Sequence, residues 1–273
     1  ICLAEIHYKN QKLNSNIIKF ETINYRQSFK QYLSKLPYGS VQLFCEANFK
    51  IAREWTKLIR QFFKKNNIDH GDIDLIGSHG QTVWHIDWQS TLQIGEASVL
   101  SKAFAIPCIA DFRVMDVAAG GSGAPLVPFV DYLWFNNPEK NTLMLNIGGI
   151  ANFTLIPANC SSSDEIFALD TGPGNGLIDA AVQIFTNDKM DFDKDGKIAA
   201  KGKINPPLLN KLLGHPYFGK KLPKSTGKEI FGKNYTEKII AEENIQTEDE
   251  FQDLITTLTY LTAKTIYIGY HEN

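Results

Sequence analysis

The chain has 273 residues, 43% of them hydrophobic and 21% charged, enough for a sizeable core in one large domain or two ordinary ones. That composition excludes a mainly disordered chain, and a formal net charge of -2 offers no basic field for nucleic acid or an anionic membrane. Cys2, Cys45, Cys108 and Cys160 stand far apart with no CxxC pair, which argues against a disulfide framework or structural zinc and for a reducing cytoplasm, and no apolar run approaches the roughly 18 residues of a membrane helix.

In chain order, Ile1, Leu3, Ile6 and Tyr8 and then Ile17, Ile18 and Phe20 predict two antiparallel strands, with a polar turn at Lys9-Asn10-Gln11. From about Val41 to Lys65, Phe44, Ile51, Trp55, Leu58, Ile59 and Phe62 recur at the spacing of one buried helix face. A short buried strand is expected at 73–77, a helix near 97–104, and a strand at 108–110 that ends at Asp111. This alternation predicts a largely buried α/β sheet. The glycine-rich stretch 118–125 then separates the halves, with a domain boundary near 136–140. Leu143–Ile147 and Ile150–Ile156 read as a hairpin closed by Gly148-Gly149 in a type I′ or II′ turn. Phe167–Leu169 is a further strand, Leu177–Phe185 a helix, and beyond Pro206 helices dominate. The last carries Phe251, Leu254, Ile255, Leu258 and Leu261 on one face. The order "two strands, turn, strand, helix" recurs in both halves, which suggests duplication around a cleft. The chain opens as a strand already under way and stops straight after a helix, so further residues are expected beyond both ends.

Several groups could carry chemistry. Leu169-Asp170-Thr171-Gly172-Pro173-Gly174-Asn175 places a carboxylate at a strand end, with glycines whose N–H groups could approach an anion at a helix N-terminus. Asp170 could act there as a base; taken alone, the plainer reading is a tight turn with Asp170 capping the helix. The Asn146-Ile147-Gly148-Gly149 tip could cradle phosphate oxygens or be a simple hairpin. His79 and Thr82, in Ser78-His79-Gly80-Gln81-Thr82, and Asp111 with Arg113 could orient a hydroxylated or carboxylated substrate. The alternative is an internal Asp–Arg salt bridge and a His held by backbone. Pro223–Glu229 is better explained by helix capping than by anion binding. Asp191, Asp193 and Asp195 lack the Glu that a calcium loop needs, and His79 and His85 lack ligand spacing, so no metal is assigned to side chains.

Taken together, IGSHGQT, TLQIG, ADFR, DVAAGGSGAPLVP, NIGGIANFTLI, LDTGPGN, DFDKDGKIAAKG and PYFGKKLPKSTGKEIFG are far more specific than any one alone. Over essentially its whole length the sequence resembles the 1,6-anhydro-N-acetylmuramic acid kinases of bacterial cell-wall recycling. The resemblance implies an actin/hexokinase-type, ribonuclease H-like duplicated α/β fold, with a sugar-side domain at 1–136, a phosphate-side domain at 137–273 and a cleft between them. It implies that ATP and water convert 1,6-anhydro-N-acetylmuramate to N-acetylmuramate 6-phosphate and ADP. By the match, Asp170 is the base that activates water. Asn146, Gly148, Gly149, Gly172, Gly174 and Asn175 lie at the nucleotide and its phosphates, and His79, Thr82, Asp111 and Arg113 on the sugar side. Mg²⁺ is expected with ATP, carried mostly by phosphates and water. The resemblance places a first phosphate loop before Ile1 and an adenosine-holding strand after Asn273. Ser122 stands where the family usually has Gln, and Gly176 where a bulkier apolar residue is usual. No nucleic acid or membrane partner is expected, and a homodimer is open. Two rival functions are a nucleotide-dependent binding or regulatory module without turnover, and an ordinary amino-sugar kinase.

Overall fold

The computed structural model describes residues 1–9, 12–221, 224–227 and 229–271. The architecture is mixed α/β, and the chain divides into two compact units, Ile1–Trp134 and Phe135–Asn273.

The first unit opens with strands β1 (Cys2–Lys9) and β2 (Lys12–Phe20), paired antiparallel from Cys2 opposite Phe20 to Lys9 opposite Lys12. The turn expected at Lys9-Asn10-Gln11 falls on Asn10 and Gln11, outside the described residues. Helix α1 (Gln27–Leu33) follows, unanticipated because Phe29, Tyr32 and Leu33 are too few to set a period. Helix α2 (Val41–Asn66) starts where the Ser40 hydroxyl accepts the Leu43 N–H at 3.2 Å, and it stops at left-handed Asn67. Its apolar stripe buries Ile51 and Phe62 as expected. Phe44 and Trp55 are half-buried and pack on a core of Leu36, Ala47, Ile51, Val83 and Ile94.

The expected strand at 73–77 shrinks to β3 (Ile76–Gly77). Then come β4 (Gln81–Ile86), β5 (Ser90–Ile94), α3 (Ala97–Phe104), β6 (Cys108–Ile109), α4 (Phe112–Ala118) and α5 (Val127–Phe135). β3 pairs parallel with β6 over two residues, which leaves Ile73–Leu75 no partner to extend against. β4 and β5 form an antiparallel hairpin. The largely buried sheet expected here is therefore absent among the described residues: the six strands make three separate two-stranded ladders, with Trp84, Leu92 and Ile109 exposed.

The second unit is a three-stranded antiparallel sheet in the order β7 (Thr142–Ile147), β8 (Ile150–Ile156), β9 (Phe167–Pro173). It is followed by α6 (Gly176–Phe185), α7 (Pro206–Leu213), α8 (Lys233–Glu242) and α9 (Glu248–His271). The predicted face of α9 is buried throughout, from Phe251 to Leu261, against Leu177, Val182 and Leu208. Phe185 stacks on Phe251 with ring centroids 4.0 Å apart. The recurring strand order expected of both halves appears here as one sheet. In the first unit β1 and β2 bond to no third strand among the described residues.

Candidate active site

Asp170 lies inside β9 rather than at the end of a strand, because β9 continues through Thr171, Gly172 and Pro173. A bulge sets Ala151 opposite Gly172 and Asn152 opposite Asp170, leaving Thr171 as the extra residue, and its hydroxyl donates to the Ala151 carbonyl at 3.1 Å. Asn152 in turn faces Asn146 across β7–β8. Directly opposed residues of an antiparallel sheet project to the same side, so Asn146, Asn152 and Asp170 form one row across three strands.

Thr226, Tyr217 and Lys224 hold Asp170 from beyond the sheet. Its carboxylate Oδ2 accepts the Thr226 N–H at 2.9 Å, its carbonyl accepts the Tyr217 hydroxyl at 2.6 Å, and its N–H points to the Lys224 carbonyl at 3.4 Å. Two plain expectations are corrected by these contacts. Asp170 does not cap the following helix, since Asn175 holds that position. The Pro223–Glu229 stretch does not cap α8, which begins at Lys233 after Gly232; Pro223 and Lys228 lie outside the described residues.

The hairpin tip and the DTGPGN stretch interlock. Gly174 N and Gly176 N both donate to the Gly149 carbonyl at 3.0 Å, and Asn175 N donates to the Gly148 carbonyl at 2.8 Å. The amide of Asn175 also reaches the Ile147 carbonyl at 3.3 Å. The expectation that the Gly174 N–H cradles an anion is therefore corrected: it is spent inside the protein. The turn differs too, for Ile147 pairs with Ala151 and neither Gly148 nor Gly149 has the positive φ of a type I′ or II′ turn. Gly172 does need its freedom, at φ 141 with a would-be Cβ 2.8 Å from the Phe218 ring. Close approach explains Gly176, whose Cβ would stand 2.7 Å from the Gly149 carbonyl oxygen. Exposed Asn146, the Gly149 N–H and the positive end of α6 remain as the groups able to meet a phosphate.

In the first unit the structure brings His79 and Arg113 together. Arg113 Nε donates to His79 Nε2 at 2.8 Å, and His79 Nδ1 lies 3.0 Å from the Gly80 carbonyl. Arginine can only donate, so Nε2 is the acceptor and the ring proton sits on Nδ1, bonded to Gly80. Arg113 Nη1 also donates to the Gly123 carbonyl at 2.8 Å, while Gly123 N donates to Asp116 Oδ2 at 2.7 Å. Burial pulls the guanidinium's pKa down from its ordinary value. Asp111 starts α4 in a left-handed conformation, exposed and with no side-chain capping bond, and among the described residues it makes no ion pair with Arg113, so the alternative of a bridge between these two is not formed. The Thr82 hydroxyl accepts from Gln93 Nε2 at 3.3 Å. Gln93 Oε1 is buried without a hydrogen-bond partner among the described residues.

Among the described residues no three His, Cys, Asp or Glu side chains cluster to hold a metal. Mg²⁺ accompanying a nucleotide needs no such cage, since phosphate oxygens and water can carry most of its coordination. No helix among the described residues is long and apolar enough to cross a membrane.

The family model for anhydro-N-acetylmuramic acid kinase matches residues 5–270. This chain belongs to that family. It is 39% identical to the anhydro-N-acetylmuramic acid kinase of Caldanaerobacter subterraneus subsp. tengcongensis over 98% of this chain and 71% of that protein. The enzyme of Clostridioides difficile is 41% identical over 98% and 71%, and that of Francisella tularensis subsp. novicida 38% over 100% and 72%. For an anhydro-N-acetylmuramic acid kinase family member, the residues that sequence reasoning passed over are Asn152, Tyr217 and Thr226. Asn152 had a signal, its mirror position to Asn146 across the Gly148-Gly149 tip. Tyr217 and Thr226 had none, lying far along the chain from the strand they hold.

Proposed function

We propose that this chain is an ATP-dependent sugar kinase that opens the 1,6-anhydro ring of 1,6-anhydro-N-acetylmuramate with water and phosphorylates O6, giving N-acetylmuramate 6-phosphate and ADP. The observation that carries the proposal is the Asn146–Asn152–Asp170 row beside a turn locked by three backbone bonds. A protein that merely bound sugar or nucleotide would need no carboxylate in that row. In the reaction Asp170 accepts a proton from water while the water oxygen attacks C1. The C1–O6 bond breaks with its electron pair on O6, and O6 takes the γ-phosphoryl group as ADP leaves. Asn146 and the Gly149 N–H contact the phosphates; Gly148, Gly172, Gly174 and Asn175 shape that surface. Mg²⁺ bound with ATP would offset phosphate charge, held mostly by phosphate oxygens and water.

His79, Thr82, Asp111 and Arg113 are assigned to the sugar. His79 fixes the Arg113 plane, leaving the Nη2 N–H groups for the substrate's carboxylate. The finer architecture belongs to the same proposal: an actin/hexokinase-type, ribonuclease H-like duplication with a sugar half at 1–136 and a phosphate half at 137–273, working in the cytoplasm; whether it pairs as a homodimer is a question for sedimentation. Coupled ADP release with anhydro and non-anhydro sugars tests it. The proposal expects turnover with the anhydro sugar and a product heavier by one phosphoryl group (HPO3) and one water. Equal turnover of the non-anhydro sugar would make it an ordinary amino-sugar kinase, and binding without ADP a regulatory module.

A further inference from the structure

The side of β9 facing away from β8 is where the structure says more than the family resemblance. In a strand, a residue's N–H and C=O point the same way, so those of Asp170 need partners that β8 does not provide. The N–H finds the Lys224 carbonyl and the C=O finds the Tyr217 hydroxyl, at 3.4 Å and 2.6 Å, while the Thr226 N–H grips the carboxylate at 2.9 Å. Tyr217 is 1% exposed, and its ring is boxed edge-on by Phe218 and Phe231 at 5.6 and 5.5 Å between centroids. Lys224 lies 5.1 Å over the same ring and donates to the Phe218 carbonyl at 3.2 Å. The hydroxyl is thus held at one point by the close packing of its ring. Burial, and then the Asp170 charge beside it, push the Tyr217 pKa up, so it remains a donor across the working range.

We propose that Tyr217 is a positioning residue for the catalytic carboxylate: its hydroxyl pins the Asp170 main chain at the bulge while the Thr226 amide fixes the carboxylate's rotation. The proposal rests on the reading of Asp170 as the base. A bulged strand with a loose main chain would swing the carboxylate by a fraction of an ångström to an ångström, enough to cost about 10–100-fold in a reaction that depends on alignment. Substrates bound elsewhere on the protein would feel little of it.

Tyr217→Phe keeps the ring and its packing and removes the one bond, so kcat should fall about 10–100-fold with KM for sugar and for ATP within about twofold of wild type. In an Asp170→Asn background the same substitution should cost nothing further, since there is no base left to aim. A merely structural role would instead lower activity by the same factor in both backgrounds, or raise KM alongside, and either result would overturn the proposal. Unchanged kcat in Tyr217→Phe would overturn it too, while leaving the base reading intact if Asp170→Asn is inactive. Near-normal turnover in Asp170→Asn would remove both. Should Tyr217→Phe fold poorly by circular dichroism, Thr226→Pro, which deletes the N–H donor to Oδ2, must show the same kcat loss and the same absence of effect in the Asp170→Asn background.

Discussion

Replacing Gly174 with alanine tests whether the hairpin tip and the DTGPGN stretch are one mechanical part. The added methyl would stand 2.3 Å from the Gly148 carbonyl oxygen and 3.1 Å from both Ala151 N and Ile150 C. All three are main-chain atoms, so no side-chain rotation relieves them. Restoring ordinary contact, 3.4 Å or more, moves the tip by about 1 Å. The three bonds that lock it, at 2.8 to 3.0 Å, would then lie beyond hydrogen-bond range. Three bonds at about 1 kcal/mol each, less about 0.7 kcal/mol for alanine's smaller unfolded-state entropy, leave a loss of about 2 kcal/mol. For a chain of this size that is a fall in Tm of about 4–8 °C. If the tip contacts phosphate as proposed, misplacing it by about 1 Å should also cost about 10²-fold in kcat. Gly148→Ala is the control, since its Cβ meets nothing closer than 3.6 Å. Thermal melts and ADP release on both variants decide the matter. If Gly174→Ala melts and turns over like Gly148→Ala, the interlock does not hold the tip and the reasoning fails.

Arg113→Ala should weaken sugar binding and leave ATP affinity within about twofold by calorimetric titration; equal losses for both ligands would place Arg113 in the scaffold instead. His215, packed on Phe231 and Tyr235 with centroids 4.9 and 5.4 Å away, has its pKa pulled below the ordinary 6.5 by burial first and then by Lys220 and Lys238. The unfolded chain then takes up that proton at higher pH than the folded one, so its contribution to stability is full above about 6.5 and is lost as pH falls below that towards the folded value. Protonation would also put a hydrogen on Nδ1, which accepts the Tyr217 N–H at 3.2 Å. Tm measured from pH 7.5 to 5.5 should fall more steeply for the wild type than for His215→Gln, and parallel curves would refute the assignment.

Where a segment's own residues decide its structure, the sequence was legible. The α2 stripe, the α3 boundaries and the β7–β8 hairpin all follow from periodicity and local chemistry. The β4–β5 hairpin leaves a weaker trace in the sequence, since only Val83 and Ile94 turn fully inward while Trp84, Ile86 and Leu92 stay exposed. Helices α1 and α4 are each seven residues long and bury no residue, too short and too exposed to register a face. At the site, Asp170 and the paired glycines stood out by type and spacing. The use of their amides did not, because whether Gly174 N–H meets an anion or the Gly149 carbonyl is settled by how two turns dock. Tyr217 and Thr226 lie 47 and 56 residues from the Asp170 they hold, and no local pattern announces such a bond.

Everything proposed for the chemistry turns on Asp170 activating water in a kinase reaction on an anhydro sugar. Steady-state ADP release from 1,6-anhydro-N-acetylmuramate by wild type and Asp170→Asn, with both ligands' affinities measured on each, tests it most directly. The substitution keeps size and hydrogen bonding while removing basicity, so binding should survive and turnover should fall by about 10²–10⁴-fold or more. Near-normal turnover in Asp170→Asn would contradict the account.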